Sequence, residues 1–158
     1  MTLRQSRIPS DTPGWAAEDL SGKGAALRGA RWNHPGQAVA YAATSVSLAA
    51  WETRAHLGPL GTAMPWNRFL VRIDVPDAVW SRRHSLARPL PVGWNAIPEG
   101  GVARALGARW LGAGTSALLL VPSVVIEEED NVLIAPSHQD ARSIVALKVR
   151  RFVYDPRV

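Results

Sequence analysis

Cysteine is absent from the 158 residues, so neither a disulfide framework nor a thiolate zinc site is available. Lysine is scarce. Lys23 and Lys148 are the only two, and arginine carries the net charge of +5. No run approaches the roughly 18 uninterrupted apolar residues that a membrane helix needs. The N-terminus has no apolar stretch of the kind a secretory signal carries, so a cytoplasmic protein is expected. Several short motifs are missing too. Ser21-Gly22-Lys23-Gly24 is too short for a phosphate loop and reads as a turn. Gly112-x-Gly114 lacks the third glycine and the preceding strand of a dinucleotide fingerprint. There is no Gly-x-Ser-x-Gly elbow, and His34, His56, His84 and His138 make no metal signature. Neither a C₂H₂ pattern nor an aromatic–glycine RNA-binding box is present. The scattered arginines therefore point to an acidic protein or an anionic small molecule rather than to direct nucleic-acid binding.

What is present suffices for one domain. The hydrophobic share of 47% supports a core without metals or cross-links. No internal repeat, low-complexity tract or linker divides the chain, so residues 1–158 read as a single domain. Residues 1–14, polar and carrying Pro9 and Pro13, read as an extended lead-in. Trp15 to Leu20 reads as a short helix. Ala38 to Ala43 reads as a strand. A helix follows, capped by Thr44 or Ser45, with Val46, Ala49, Ala50, Thr53 and Leu57 on its apolar face. Glu52 lies off that face, on a stripe with Ser45, Leu48 and His56. Gly58 to Pro65 is a loop.

Arg68 to Val75 alternates, with Phe69, Val71, Ile73 and Val75 on one side, as a half-buried strand does. The proline-bearing stretch 81–99 is a loop. Val102, Leu106 and Trp110 predict a helix from Gly101 to Leu111, stopped by Gly112 and Gly114. Thr115 to Val121 is a continuous apolar run that predicts a buried central strand. Val124 to Ile126 resume it, before an acidic turn, Glu127 to Asp130, that is expected to be solvated. Asn131 to Ala135, Ser143 to Val149 and Phe152 to Tyr154 complete the strands. The expected fold is α+β, strand-rich, with two or three helices.

Three residues in the first third of the chain, Arg31, Tyr41 and Glu52, fall on three different local elements. Taken singly, each has an ordinary reading: a surface or ion-pair arginine, a core tyrosine, a solvated helix carboxylate. The blocks that contain them change that weighting. Gly29-Ala30-Arg31-Trp32-Asn33-His34-Pro35-Gly36, Val39-Ala40-Tyr41 and Glu52-Thr53-Arg54-Ala55-His56-Leu57 resemble the opening blocks of the RES domain. The likeness continues through Leu90 to Asn95, Ala105 to Leu111, Leu119 to Val125, Asn131 to Leu133 and Phe152 to Arg157. It covers nearly the whole chain in order.

The resemblance implies a fold like that of ADP-ribosyltransferases and a bacterial toxin that consumes NAD⁺ as substrate, with no redox cofactor and no metal. It implies a helix-turn-helix (Xre-like) antitoxin as partner, hence a hetero-oligomer, and ADP-ribose transfer to a protein, to phosphate or to water. It also implies roles. Cleaving the nicotinamide–ribose bond builds oxocarbenium-like charge on the ribose, which a carboxylate stabilises; Glu52 is the candidate. Arg31 would take the diphosphate or the adjoining ribose. Tyr41 would stack on the nicotinamide. Ser123 would position the substrate or Glu52, with Ser116 a competitor on the same strand. Trp32, Arg54, His56 and Asn131 complete the expected substrate-contacting set. One departure stands out: Ala135-Pro136 and His138-Gln139 replace the Asn-Pro and His-Pro usual in the family.

Overall fold

Alternation along residues 69–76 sets one face of the sheet. Val71, Ile73 and Val75 are fully buried, and they join Ala40, Ala42, Leu118, Val132 and Ile134 in one apolar layer. In the computed structural model, which describes residues 2–59 and 65–157, seven strands form a single mixed sheet. They are β1 (Thr2–Arg7), β2 (Ala40–Ala43), β3 (Phe69–Pro76), β4 (His84–Ser85), β5 (Leu118–Pro122), β6 (Asp130–Ile134) and β7 (Val145–Arg151). Their order is β4-β5-β6-β2-β1-β3-β7. Only β4 and β5 run parallel. Four helices accompany them: α1 (Lys23–Arg28), α2 (Val46–His56), α3 (Asp77–Ser81) and α4 (Gly101–Ala113). A 3₁₀ turn spans Gln139–Ser143. No helix among the described residues is long and apolar enough to cross a membrane.

The α+β class stands, with four helices where two or three were expected. The N-terminus is the largest correction. The polar segment Thr2–Arg7 is an interior strand, paired along its length with β3 from Thr2↔Pro76 to Arg7↔Val71. Its sequence does not alternate in polarity. Ladder hydrogen bonds from its neighbours, not its own side chains, make it a strand, and Gln5 and Ser6 are buried as a result. Residues 15–20 are turns rather than a helix. The Ser-Gly-Lys-Gly segment read as a turn instead opens α1, with Gly22 at φ +71°. A Cβ there would collide with the Val39 backbone nitrogen, so the backbone conformation and the close approach both require glycine.

Both long helices bury their expected faces only in part. In α2 the buried residues are Leu48 and Ala49, with Arg54, while Val46 is exposed. Of the expected face Ala49 is buried and Ala50, Thr53 and Leu57 are half-buried, and Leu48 from the stripe shared with Glu52 is buried beside them. In α4 it is Ala103, Gly107 and Trp110 that are buried, and the helix runs through Gly112 to end at Gly114 in the left-handed region. β5 is buried as expected but is second from the edge, because the two-residue β4 covers its free side. Residues 124–126 turn instead of extending, and 152–154 carry no strand. The loop expected at 58–65 falls mostly, at 60–64, outside the described residues.

The second face of the sheet carries α4 over Leu119, Val121 and Leu133, and α2 over Ile8 and Ala43. One irregularity opens this sheet. β1 meets β2 at a single register pair, Ser6↔Ala43. Beyond it the chain leaves at Pro9–Ser10 and bridges to Arg68, so the sheet is split beside Ala40 and Tyr41.

Candidate active site

Helix α2 is fixed at its start. Ser45 accepts the Leu48 amide at 3.0 Å and donates to Glu129 Oε2 at 2.8 Å. The acidic turn expected in solvent is thus tied to the helix cap. It is held from its other side by Arg88, which donates to the Glu127 carbonyl at 3.1 Å and to Asp130 at 3.0 Å. Two turns along α2, Glu52 is half-buried. Its Oε1 accepts from Ser123 Oγ at 2.7 Å and from Asn131 Nδ2 at 2.5 Å.

Topology produces this cluster. Asn131 on β6 stands opposite Val121 of β5 and Ala43 of β2. Ser123 follows β5 directly and has no exposed surface. Its hydroxyl oxygen accepts the amides of Val125 and Ile126, each at 3.0 Å. With its single proton given to Glu52, its hydrogen-bonding capacity is filled. Oε1 is therefore fixed. Oε2 has no hydrogen bond among the described residues. His56, one turn on, donates Nδ1–H to the Glu52 carbonyl at 2.6 Å. A carbonyl can only accept, so the neutral ring is left with Nε2 as its acceptor.

Tyr41 is engaged at its hydroxyl. It donates to Asn33 Oδ1 at 2.8 Å and accepts the Trp32 amide at 3.2 Å. Burial raises its phenol pKa above the ordinary value, so it remains a donor. Asn33, wholly buried, shares its amide protons among the carbonyls of Ala25, His34 and Gln37. Together these bonds pin the loop that carries Arg31. Arg31 Nη1 in turn donates to the Trp94 and Ala96 carbonyls at 3.2 and 2.9 Å, and Trp94 stacks on Trp32 with centroids 6.2 Å apart. Arg31 and Arg104 both lie close enough to stabilise the phenolate form of Tyr41 electrostatically.

The expected residues are thus not equivalent in space. Glu52, Ser123 and Asn131 meet by direct hydrogen bonds, with His56 attached through the Glu52 backbone. Tyr41, on β2, bonds Trp32 and Asn33 of the loop that carries Arg31. Trp32 is 2% exposed and packs in the core beneath α4. Arg54 is buried and donates to the Gly58 carbonyl at 3.0 Å. Ser116 accepts from Trp110 Nε1 at 3.0 Å and donates to the Leu118 carbonyl. It borders a separate cavity of about 310 Å³ with His138, at the end of β5 away from Ser123. The hydroxyl at the carboxylate is that of Ser123.

Tyr41 and His56 also line a cavity of about 470 Å³ in the sheet split, together with Arg7, Trp15, Asp19, Lys23 and Arg68. This size lies within the roughly 300–1,000 Å³ usual for small-molecule and cofactor sites. None of those five residues was a sequence candidate. They come from four segments, and the strand that delivers Arg7 has no periodicity to announce it. Among the described residues no cluster of His, Asp or Glu has the makings of a metal site.

Comparison with known proteins decides the family. The RES domain model matches residues 4–155. The chain belongs to the RES domain family. A Sphingobium sp. (strain YBL2) protein named "Prs ADP-ribosylating toxin" is 49% identical over 160 residues, covering 100% of this chain and 98% of its own. The "Toxin Res" of Pseudomonas putida (strain KT2440) is 36% identical over 143 residues, 90% of this chain and 94% of its own. That of Yersinia enterocolitica is 32% identical over 147 residues, 91% and 93%. These relatives place the chain among the RES toxins. Its fold is similar to a chain of the M. tuberculosis MbcT–MbcA toxin–antitoxin complex, with a TM-score of 0.64 at 18% identity over 95% of this chain and 85% of that one.

Proposed function

We propose that this RES domain cleaves NAD⁺ between nicotinamide and ribose and transfers ADP-ribose to a protein. The observation that carries this reading is the Glu52 carboxylate, held through one oxygen by Ser123 and Asn131. Its helix also supplies a wall of the cation-lined cavity, through His56. As the glycosidic bond breaks, its electron pair passes to the pyridinium nitrogen and nicotinamide leaves neutral. No acid is needed for departure. The positive charge moves to the ribose, where Glu52 Oε2 stabilises it or holds the 2′-hydroxyl. A nucleophilic side chain of the acceptor then bonds C1′ and gives up its proton. Arg31 is fixed by loop carbonyls through Nη1 and offers its remaining donors to the substrate.

A protein acceptor is favoured by the name of the Sphingobium relative at 49% identity, and we take the Prs of that name as the target. An antitoxin partner is favoured by the toxin–antitoxin complex that shares the fold. We assign it a helix-turn-helix, Xre-like DNA-binding domain and an acidic segment that suits the arginine-rich toxin. The reaction draws on intracellular NAD⁺, which assigns the toxin to the cytoplasm.

The test is NAD⁺ turnover by antitoxin-free protein, with and without phosphate and with and without purified Prs, read by mass spectrometry. Nicotinamide release that requires Prs and adds ADP-ribose to it is the expected result. Free ADP-ribose or its phosphate ester, formed equally without Prs, would replace transfer by glycohydrolase or phosphorylase activity. No turnover alongside normal antitoxin binding would make the domain a non-catalytic binding module.

A further inference from the structure

The cavity in the sheet split holds more positive charge than the chain's own interactions use. Its walls carry Arg7, Lys23 and Arg68 against one carboxylate, Asp19. Asp19 is already occupied, accepting the Ser21 amide at 2.8 Å and the Ser21 hydroxyl at 2.7 Å. Arg7 Nη1 donates to the Asp19 carbonyl, not the carboxylate. The Lys23 ammonium has no hydrogen bond among the described residues; Asp19 attracts it only through space. Arg68 spends Nη1 on a long bond of 3.4 Å to the Ile8 carbonyl, and its Nε–H is buried with no acceptor. A buried, unanswered guanidinium donor is rare in folded proteins and calls for a partner. Trp15, 37% exposed, supplies the one aromatic wall besides Tyr41 and His56.

We infer that Lys23 and Arg68 form the diphosphate-binding site of this cavity, with the Trp15 ring as the surface on which an adenine base stacks. The inference rests on the NAD⁺ reading above and deepens it. It moves the main anion contact away from Arg31, whose Nη1 serves the 94–96 loop, to residues brought together only by the split between β1 and β2. A diphosphate carries two negative charges, which match the surplus of three cations over one carboxylate. The Arg68 fork supplies directional donors and Lys23 a compact point charge. His56, which also lines the cavity, bonds the Glu52 backbone, so a dinucleotide with its adenine on Trp15 directs its nicotinamide ribose past His56 toward the carboxylate.

The probes are ADP in isothermal titration and NAD⁺ in steady-state kinetics, with antitoxin-free protein. Lys23→Ala is the cleaner variant, because the exposed side chain has no structural bond to lose. Arg68→Ala and Arg68→Lys test the second cation, with circular dichroism checking the fold. Removing either charge-assisted hydrogen bond should weaken ADP binding about tenfold. KM for NAD⁺ should rise in parallel, while kcat falls less. Arg68→Lys should recover part of the loss. Wild-type affinity for ADP and unchanged KM in both folded alanine variants would overturn the assignment. So would failure of the wild-type protein to bind ADP. If wild-type protein binds ADP and the variants do not, yet none releases nicotinamide, the turnover reading fails and the anion site stands.

Discussion

Ser123 donates its single hydroxyl proton to Glu52 at 2.7 Å while its oxygen receives the amides of Val125 and Ile126 at 3.0 Å each. One side chain thus aims the carboxylate and closes the turn after β5. Ser123→Ala removes an acceptor from two backbone donors beside a fully buried residue. Loss of about 2–4 kcal/mol of stability is expected, together with reduced nicotinamide release. Chemical denaturation and turnover on the same preparation check both. Unchanged stability would show that the amides find water instead.

Glu52→Gln keeps an oxygen that accepts from Ser123 and Asn131 but deletes the charge. The fold should survive with little change in Tm. Nicotinamide release should fall about 10²–10³-fold, the order lost when a transition-state charge loses its partner. Retained turnover in the folded variant would remove Glu52 from the reaction.

Tyr41→Phe strips the Asn33 and Trp32 bonds from a buried site, at an expected cost of about 1–3 kcal/mol. The effect has a pH signature. Burial raises the folded phenol pKa above the ordinary value of 10.0, so the folded state holds this proton more tightly than the unfolded chain. The stability it contributes is present in full below pH 10. It is lost as pH rises from there through the folded value. The advantage of wild type over Tyr41→Phe should therefore be constant near neutrality and shrink above pH 10. A gap that widened there would contradict a raised folded pKa.

Gly107 is the tightest approach between α4 and the Arg31 loop. A Cβ at that position would overlap the Trp32 carbonyl oxygen. Gly107→Ala raises helix propensity yet must push α4 off the loop. Destabilisation of about 2 kcal/mol or more is expected, a Tm drop of roughly 4–8 °C in a chain of this size. Calorimetry decides it; a neutral or higher Tm would mean that the loop shifts freely.

The sequence by itself determined the elements whose signal is local. β3 follows from strict alternation of Phe69, Val71, Ile73 and Val75, because a half-buried strand needs side chains of one kind on each face. α2 follows from a cap at Thr44 or Ser45 and from helical spacing; the structure selects Ser45. The blocks around Arg31, Glu52 and Asn131 carried the family, since their order survives along the chain. Tertiary structure decided everything that depends on partners distant in sequence. β1 is a strand because β3 supplies its ladder, which no polarity pattern in Thr-Leu-Arg-Gln-Ser-Arg records. Leu48 joins Ala49 on the buried side of α2, and Val46 does not, because of where the sheet lies against the helix; periodicity gives a spacing without a direction. Ser123 rather than Ser116 meets Glu52 because the two serines stand at opposite ends of β5. The cavity cations gather because β1 parts from β2 after one register pair. Hydrogen bonds and charge act over a few ångströms of space, and only the folded chain determines which residues come that close.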